Sequence, residues 1–379
     1  MNHFSFKIPV LVLTLVLAGC VTGKKALQEG NYTEAVLKSV ERLRENPDSK
    51  QAILTLRQAY PLAVKTSLEE IDQLLRSQDP RKYAGIVDRY EALNRLAGEI
   101  RHCPEALKII NRPEEFPEQL AAAREKAAPE AYDAAVALLE MGTRKAAREA
   151  YDRLLEAERF IPGYRDVKDL LIRARFEATL KVAVEQIPVR GRYQVSSQYF
   201  YDQVLSFLTT GIRQEFVEFY DAETASGLSA LDEILVMEFD DFMVGATNEK
   251  ESEKEFTSRD SVKVGTATVN GQKVDVFNKV KAKLTTHRRE VVSTGLLAVQ
   301  ILDARTNKPL VSKKFPGTFT WVSEWASYNG DDRALSSEQL QLCKRKPALP
   351  PPPQDLFIEF TRPIFDQLKG FFRNYYRTI

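Results

Sequence analysis

Hydrophobic periodicity changes character once along this chain, around Pro188, and a single type of secondary structure cannot satisfy both halves. Before that point apolar residues recur every three to four positions, the spacing of a helix face. Ile53, Leu56, Ala59 and Tyr60 share one face, and Leu68, Ile71, Leu74 and Leu75 form a second stripe. Tyr83, Ile86, Val87, Tyr90, Leu93, Leu96 and Ile100 form a third, opened by Asp79-Pro80. Gly30-Asn31-Tyr32 followed by Ala35 and Pro47, and Gly142 followed by Ala147, read as junctions between paired helices. Gly tolerates the positive φ of the turn, Ala lets two helices approach, and Pro ends the second. Pro104, Pro113 and Pro117 mark a looser connection.

Beyond Pro188 the signals are those of strands. Residues 182–184 with 187–189 predict a strand, 197–208 a helix, 214–220 a strand, and 233–244 a long strand rich in β-formers. Residues 249–260 are so charged that a mobile loop or an exposed strand end is expected. Asn270-Gly271 between 262–269 and 274–284 predicts a hairpin, and 305–309 joins a second hairpin of 290–304 and 310–315. Pro350 to Pro353 give a polyproline II spacer. Phe357, Phe360, Ile364, Phe365, Leu368, Phe371, Phe372 and Tyr375 then form a wide aromatic helix face, with Pro363 as a start or kink. Such a face is expected to pack back on the sheet; the alternative is an exposed face for a partner or bilayer.

The expected fold class is therefore α+β. A helical domain covers 20–184, and 185–346 forms an α/β domain with a mixed, largely antiparallel sheet. Residues 347–379 supply the spacer and the closing helix. The helical junctions resemble the second half of a tetratricopeptide repeat. The two glycines are not separated by a whole number of repeats of about 34 residues, so this resemblance implies irregular hairpins rather than a regular array. The second half resembles the periplasmic lipoprotein domains of the curli-secretion and penicillin-binding-protein-activator type. That likeness rests on residues 234–239 leading out of a loop, and on 297–303 with Thr306, Lys308 and Leu310. It implies fold only and carries no functional residue.

At the N-terminus, Lys7 precedes an apolar run from Ile8 to Ala18, far short of the roughly 20 residues needed to span a bilayer. A charged start, a short apolar core and a small-residue site describe a signal peptide over 1–19. Leu17-Ala18-Gly19-Cys20 resembles the lipobox of bacterial lipoproteins at all four positions. The resemblance implies that Cys20 becomes the lipid-carrying first residue of the mature chain. Val21 stands where an Asp would resemble an inner-membrane retention signal, and 21–25 lack an acidic surface-export run. The expected address is the outer membrane, facing the periplasm.

Fifty-four Lys and Arg balance 53 Asp and Glu, which gives no general field for nucleic acid. Beyond Cys20 the cysteines are Cys103 and Cys343, read as separate buried thiols, and the histidines are His102 and His287. That set is too small for a zinc site, so no metal or other cofactor is expected. Gly265 to Lys273 misses the phosphate-loop pattern in spacing and has Gln272 where its lysine belongs. Glu238, Asp240 and Asp241 form a carboxylate cluster, in which strand alternation places Glu238 and Asp240 on one face. Trp321, Trp325, Tyr328, Asp331 and Asp332 set aromatics beside polar groups, a surface that can stack on a sugar ring or anchor a protein.

The expected function is a non-enzymatic, membrane-anchored scaffold or assembly factor that engages another envelope protein. The alternatives are a lipoprotein that binds or processes glycan through the Trp321/Trp325 region, and a secretion-pore subunit.

Overall fold

The computed structural model describes residues 23–189, 191–269 and 272–377. Its contacts divide it into two units, with the break between Ala178 and Thr179. The break comes before residue 184 because Leu180–Val184 is a buried strand of the sheet rather than the end of the helical domain.

The first unit is built from α1 (Gly23–Gln28), α2 (Tyr32–Glu45), α3 (Lys50–Arg76), α4 (Lys82–Arg101), α5 (Pro104–Ile109), α6 (Pro117–Glu140), α7 (Arg144–Phe160) and α8 (Val167–Ala178). Gly30 and Gly142 sit in the turns before α2 and α7 with φ of 79° and 63°, and neither would crowd a side chain. Backbone conformation alone therefore selects glycine there. Asn31 and Thr143 next cap the following helices, their side chains accepting from the Glu34 and Ala146 N–H at 3.2 Å. Ala35, Leu43, Leu56, Ala59, Leu93, Leu96 and Ile100 are buried in one cluster joining α2, α3 and α4. The stripes expected at 53–60 and 68–75 belong to the one 27-residue helix α3, which carries Pro61 within it. Leu68 and Leu75 lie on its exposed side, while Ile71 is buried.

The second unit contains β1 (Leu180–Val184), α9 (Gln194–Gly211), β2 (Val217–Asp221), α10 (Ala222–Ser226), β3 (Glu233–Thr257), β4 (Val262–Val269), β5 (Gln272–Asn278), β6 (Lys281–Asp303), β7 (Pro309–Gly330), α11 (Ser337–Lys344) and α12 (Pro353–Tyr376). Its main sheet has the order β2-β1-β3-β6-β7, and β4 with β5 forms a separate two-stranded sheet. β1 runs parallel to both neighbours and all five of its residues are buried, while β3, β6 and β7 pair antiparallel. The expected mixed sheet is present.

One face of this sheet is covered by α9 and α12. Phe200, Val204 and Leu208 from α9 and Phe357, Phe360, Ile364, Leu368 and Phe372 from α12 pack with Leu235, Met237, Leu297, Val299 and Ile301. The aromatic face of α12 is thus core, and Pro363 lies inside an unbroken helix. Gly295 and Gly317 are directly opposed on β6 and β7, and a methyl group on either would collide with Phe360. That pair forms the seat on which α12 rests.

β3, β6 and β7 outrun their helical cover. They have 25, 23 and 22 residues, against about five or six for an ordinary strand. Val291 is the last buried apolar residue on the α12 face of β6 toward its start. At about 3.3 Å per residue, the stretch from Val291 back to Lys281 forms an arm roughly 35 Å long. Residues 249–257, expected as a loop or strand end, are the outer part of β3. Their register runs unbroken from Ala246–Val292 to Thr257–Lys281.

Candidate functional site

Three places carry chemistry: the β7 aromatic face with the turn beyond it, the carboxylate cluster on β3, and a groove in the helical unit.

Strand alternation puts Trp321, Ser323 and Trp325 on one face of β7, opposite Val291, Arg289 and His287 of β6. On β3 the same rows continue as Thr247, Glu249 and Glu251. The Trp325 ring stacks on His287 at 5.3 Å with an interplanar angle of 11°, and the Arg289 guanidinium lies 5.4 Å from the indole. Arg289 Nε donates to Glu249 Oε1 at 2.5 Å, and His287 Nδ1 lies 3.7 Å from Glu251. Ser323, between the two tryptophans, accepts a hydrogen bond from the Ala348 N–H at 3.1 Å. The segment linking α11 to α12 therefore crosses this face, and both indoles are half-buried. A sugar ring stacked on Trp325 would compete with His287 for the indole.

Tyr328 pairs with Leu284 on the opposite face of the arm, where Ala282, Leu284, Ala326 and Leu335 form a small cluster under α11. It is 41% exposed. Asp331 and Asp332 lie past the end of β7. Asp331 accepts from the Arg333 backbone N–H at 3.0 Å and from its guanidinium at 2.8 and 2.6 Å. The guanidinium and that N–H hold the carboxyl down at about 2. Arg333 also donates to the Lys263 carbonyl at 2.9 Å, which ties the turn to β4. Asp332 is exposed. Of the five residues singled out from sequence, the structure brings Trp321 and Trp325 onto one face. It places Tyr328 on the other, and the two aspartates at the arm's end. Asp331 is engaged in holding the turn.

The β3 carboxylates are rearranged by a bulge. A register shift lies between Phe239 and Asp241, so Asp241 pairs with Leu296 while Glu238 pairs with Ala298. Asp241 thus joins the face of Glu238, and Asp240 lies there too, since its partner Lys314 is opposite Ala298, as Glu238 is. Simple alternation misses only Asp241, because the strand carries one extra residue there. Asp240 reaches across to Lys314 at 2.5 Å. Among the described residues, no group of three or more His, Cys, Asp or Glu is arranged to hold a metal ion. Cys103 is buried in the helical unit and Cys343 is half-buried on α11, both as free thiols.

The groove was not singled out from sequence. It lies between α2 and α3 with a volume of about 550 Å³, and Lys38, Glu41, Arg42, Glu45, Ser49 and Gln51 line it. The signal was available: Lys38, Glu41, Arg42 and Glu45 follow the spacing of one helix stripe. Arg42 and Glu45 pair at 2.9 Å, so the lining is polar and mixed in sign.

Cys20 and the signal peptide lie outside the described residues, as does the Asn270-Gly271 turn. Among the described residues, no helix is long and apolar enough to cross a membrane. Neither protein-family models nor curated proteins give a match to this chain.

Proposed function

We propose that this chain is a bacterial lipoprotein, anchored through Cys20 to the outer membrane on its periplasmic side, and that it works as a scaffold or assembly factor rather than as an enzyme. The observation that carries the reading is the arm. Three strands continue about ten residues past the cover of α9 and α12, and the outer rows of β3 and β6 are largely charged, apart from the small patch of Ala282 and Leu284 under α11. Lys283–Glu253 at 2.5 Å and Lys281–Glu255 at 2.6 Å are two of the ion pairs that bind those strands together. Exposed ion pairs contribute little to stability, so so long an extension adds reach more than fold stability. The strand edges of the arm also suit pairing with an extended segment of a partner. The helical hairpins, read as tetratricopeptide-like, add a second surface, with the polar groove between α2 and α3 sized for a peptide.

The test has two parts. Metabolic labelling with a fatty-acid probe should mark the wild-type chain and not Cys20→Ser; equal labelling removes the anchor. A photo-crosslinking residue at Ser252, on the arm, should give one discrete adduct with another envelope protein in cells. The same probe at Arg57 of α3 serves as the control. Absence of any adduct specific to the arm overturns the scaffold reading.

A further inference from the structure

The β4–β5 hairpin stands at the far end of the arm, inserted between Thr257 and Lys281, which pair with each other. Its neck is closed by Ser258, whose N–H donates to the Val280 carbonyl at 2.8 Å and whose Oγ accepts from the Val280 N–H at 3.1 Å. The two strands pair only with each other, and an isolated two-stranded hairpin in water is marginal on its own. Register places Ala267 opposite Val274, Val269 opposite Gln272, and Val276 opposite Gly265 on one face; Thr266 opposes Asp275, Thr268 opposes Lys273 and, toward the neck, Lys263 opposes the 60% exposed Phe277 on the other. The apolar face is open: Val269, Val274 and Val276 are 54%, 49% and 41% exposed.

Charge indicates what covers it. Between residues 259 and 281 stand Arg259, Lys263, Lys273, Lys279 and Lys281 against Asp260 and Asp275, in a chain whose total balance is +1; Lys263 pairs with Asp275 and Lys281 with Glu255, each at 2.6 Å, which leaves Arg259, Lys273 and Lys279 against Asp260. A hairpin with an open valine face and an excess of cations at its neck and on its other face is complementary to acyl chains beneath anionic headgroups. We infer that the hairpin is a membrane-contact element, which lays Ala267, Val269, Val274 and Val276 into the interface of an anionic bilayer while Thr266, Thr268 and Lys273 face the headgroups and water. This inference goes beyond the scaffold reading and does not depend on Cys20.

Lipid at Cys20 would hold the chain on vesicles whatever the hairpin does, so the readout is the depth of an indole rather than binding. The full chain carrying Val274→Trp, and separately Thr266→Trp, is mixed with phosphatidylethanolamine/phosphatidylglycerol vesicles whose acyl chains carry bromine. The quenching of Trp321 and Trp325 in the unsubstituted chain is subtracted. The indole at 274 should be quenched at least about twofold more than that at 266, and the excess should fall in phosphatidylcholine vesicles or high salt. Val269→Trp reports the same face from the other strand, should the first variant misfold. Equal quenching at the two faces overturns the inference. So does a concentration-dependent sedimentation shift without lipid that Val274→Asp abolishes, because the face would then be covered by a second copy of the chain.

Discussion

At the scale of single residues, Asp331 shows how a side chain picked out for ligand chemistry can be consumed by structure. Its carboxylate is occupied by Arg333, and its own N–H donates to the Lys281 carbonyl at 3.0 Å. The depressed folded value of about 2 lies below the ordinary carboxylate value of about 3.9. The stabilisation from this pair is therefore present above about pH 4 and is lost as pH falls toward about 2. Amide protection at the tip of the arm, taken relative to the intrinsic exchange rate at each pH, should fall as pH drops across that window in the wild type. In Asp331→Asn protection should be low throughout and nearly independent of pH there; an unchanged profile would show that the turn is held by other contacts. Asp331 was legible as a turn residue, since Asn-Gly-Asp-Asp is turn chemistry. Its partner Arg333 was not legible as such, because nothing in one sequence says which acid a guanidinium chooses. Parity did separate Tyr328 from Trp321 and Trp325, but only once β7 is known to run unbroken to Gly330.

Among the elements, α12 was the most legible and the arm the least. Eight apolar residues at helical spacing announce a buried helix face, and all eight belong to the main cluster or pack against it. Phe360 is fully buried against the Gly295–Gly317 seat. Phe360→Ala should cost about 3–5 kcal/mol. Gly317→Ala should cost about 1–3 kcal/mol, because the added methyl meets the Phe360 backbone, which cannot rotate away as a side chain can. Urea unfolding of the sheet unit measures both. The arm gives the opposite lesson. Residues 249–257 have neither an apolar face nor β-branched residues in number, so strand heuristics miss them. What makes them a strand lies on β6, where Lys283 and Arg289 answer Glu253 and Glu249. Because the facing stretch of β6, 285–290, also buries little, its amides should exchange faster than those at 296–301 of the same strand. Uniform protection along β6 would contradict this.

For the molecule as a whole, the two units have separate cores, one centred on Leu43, Leu56 and Leu96 and the other on Phe357, Phe360 and Val299. Thermal unfolding should resolve into two transitions. Leu56→Ala should lower one and Phe360→Ala the other, and a single transition moved by both would show that the units melt together. The division into a helical and a sheet half was readable from the change of period near Pro188. Its position at Ala178/Thr179 was not, because β1 is so short that its five residues read equally as the end of a helix.

The same three strands make both the floor of the main core and the shaft of the arm, and this has a mechanical consequence. A pull applied at the β4–β5 tip passes through the short neck at 258–261 and 279–280 and from there to the α12 seat along unbroken strands, with no further loop in the path to absorb it. Tension directed along antiparallel strands loads their cross-links together, in shear, rather than unzipping them one at a time. The arm should therefore act as a stiff strut, and the first part to yield under load should be the neck at Ser258 and Val280.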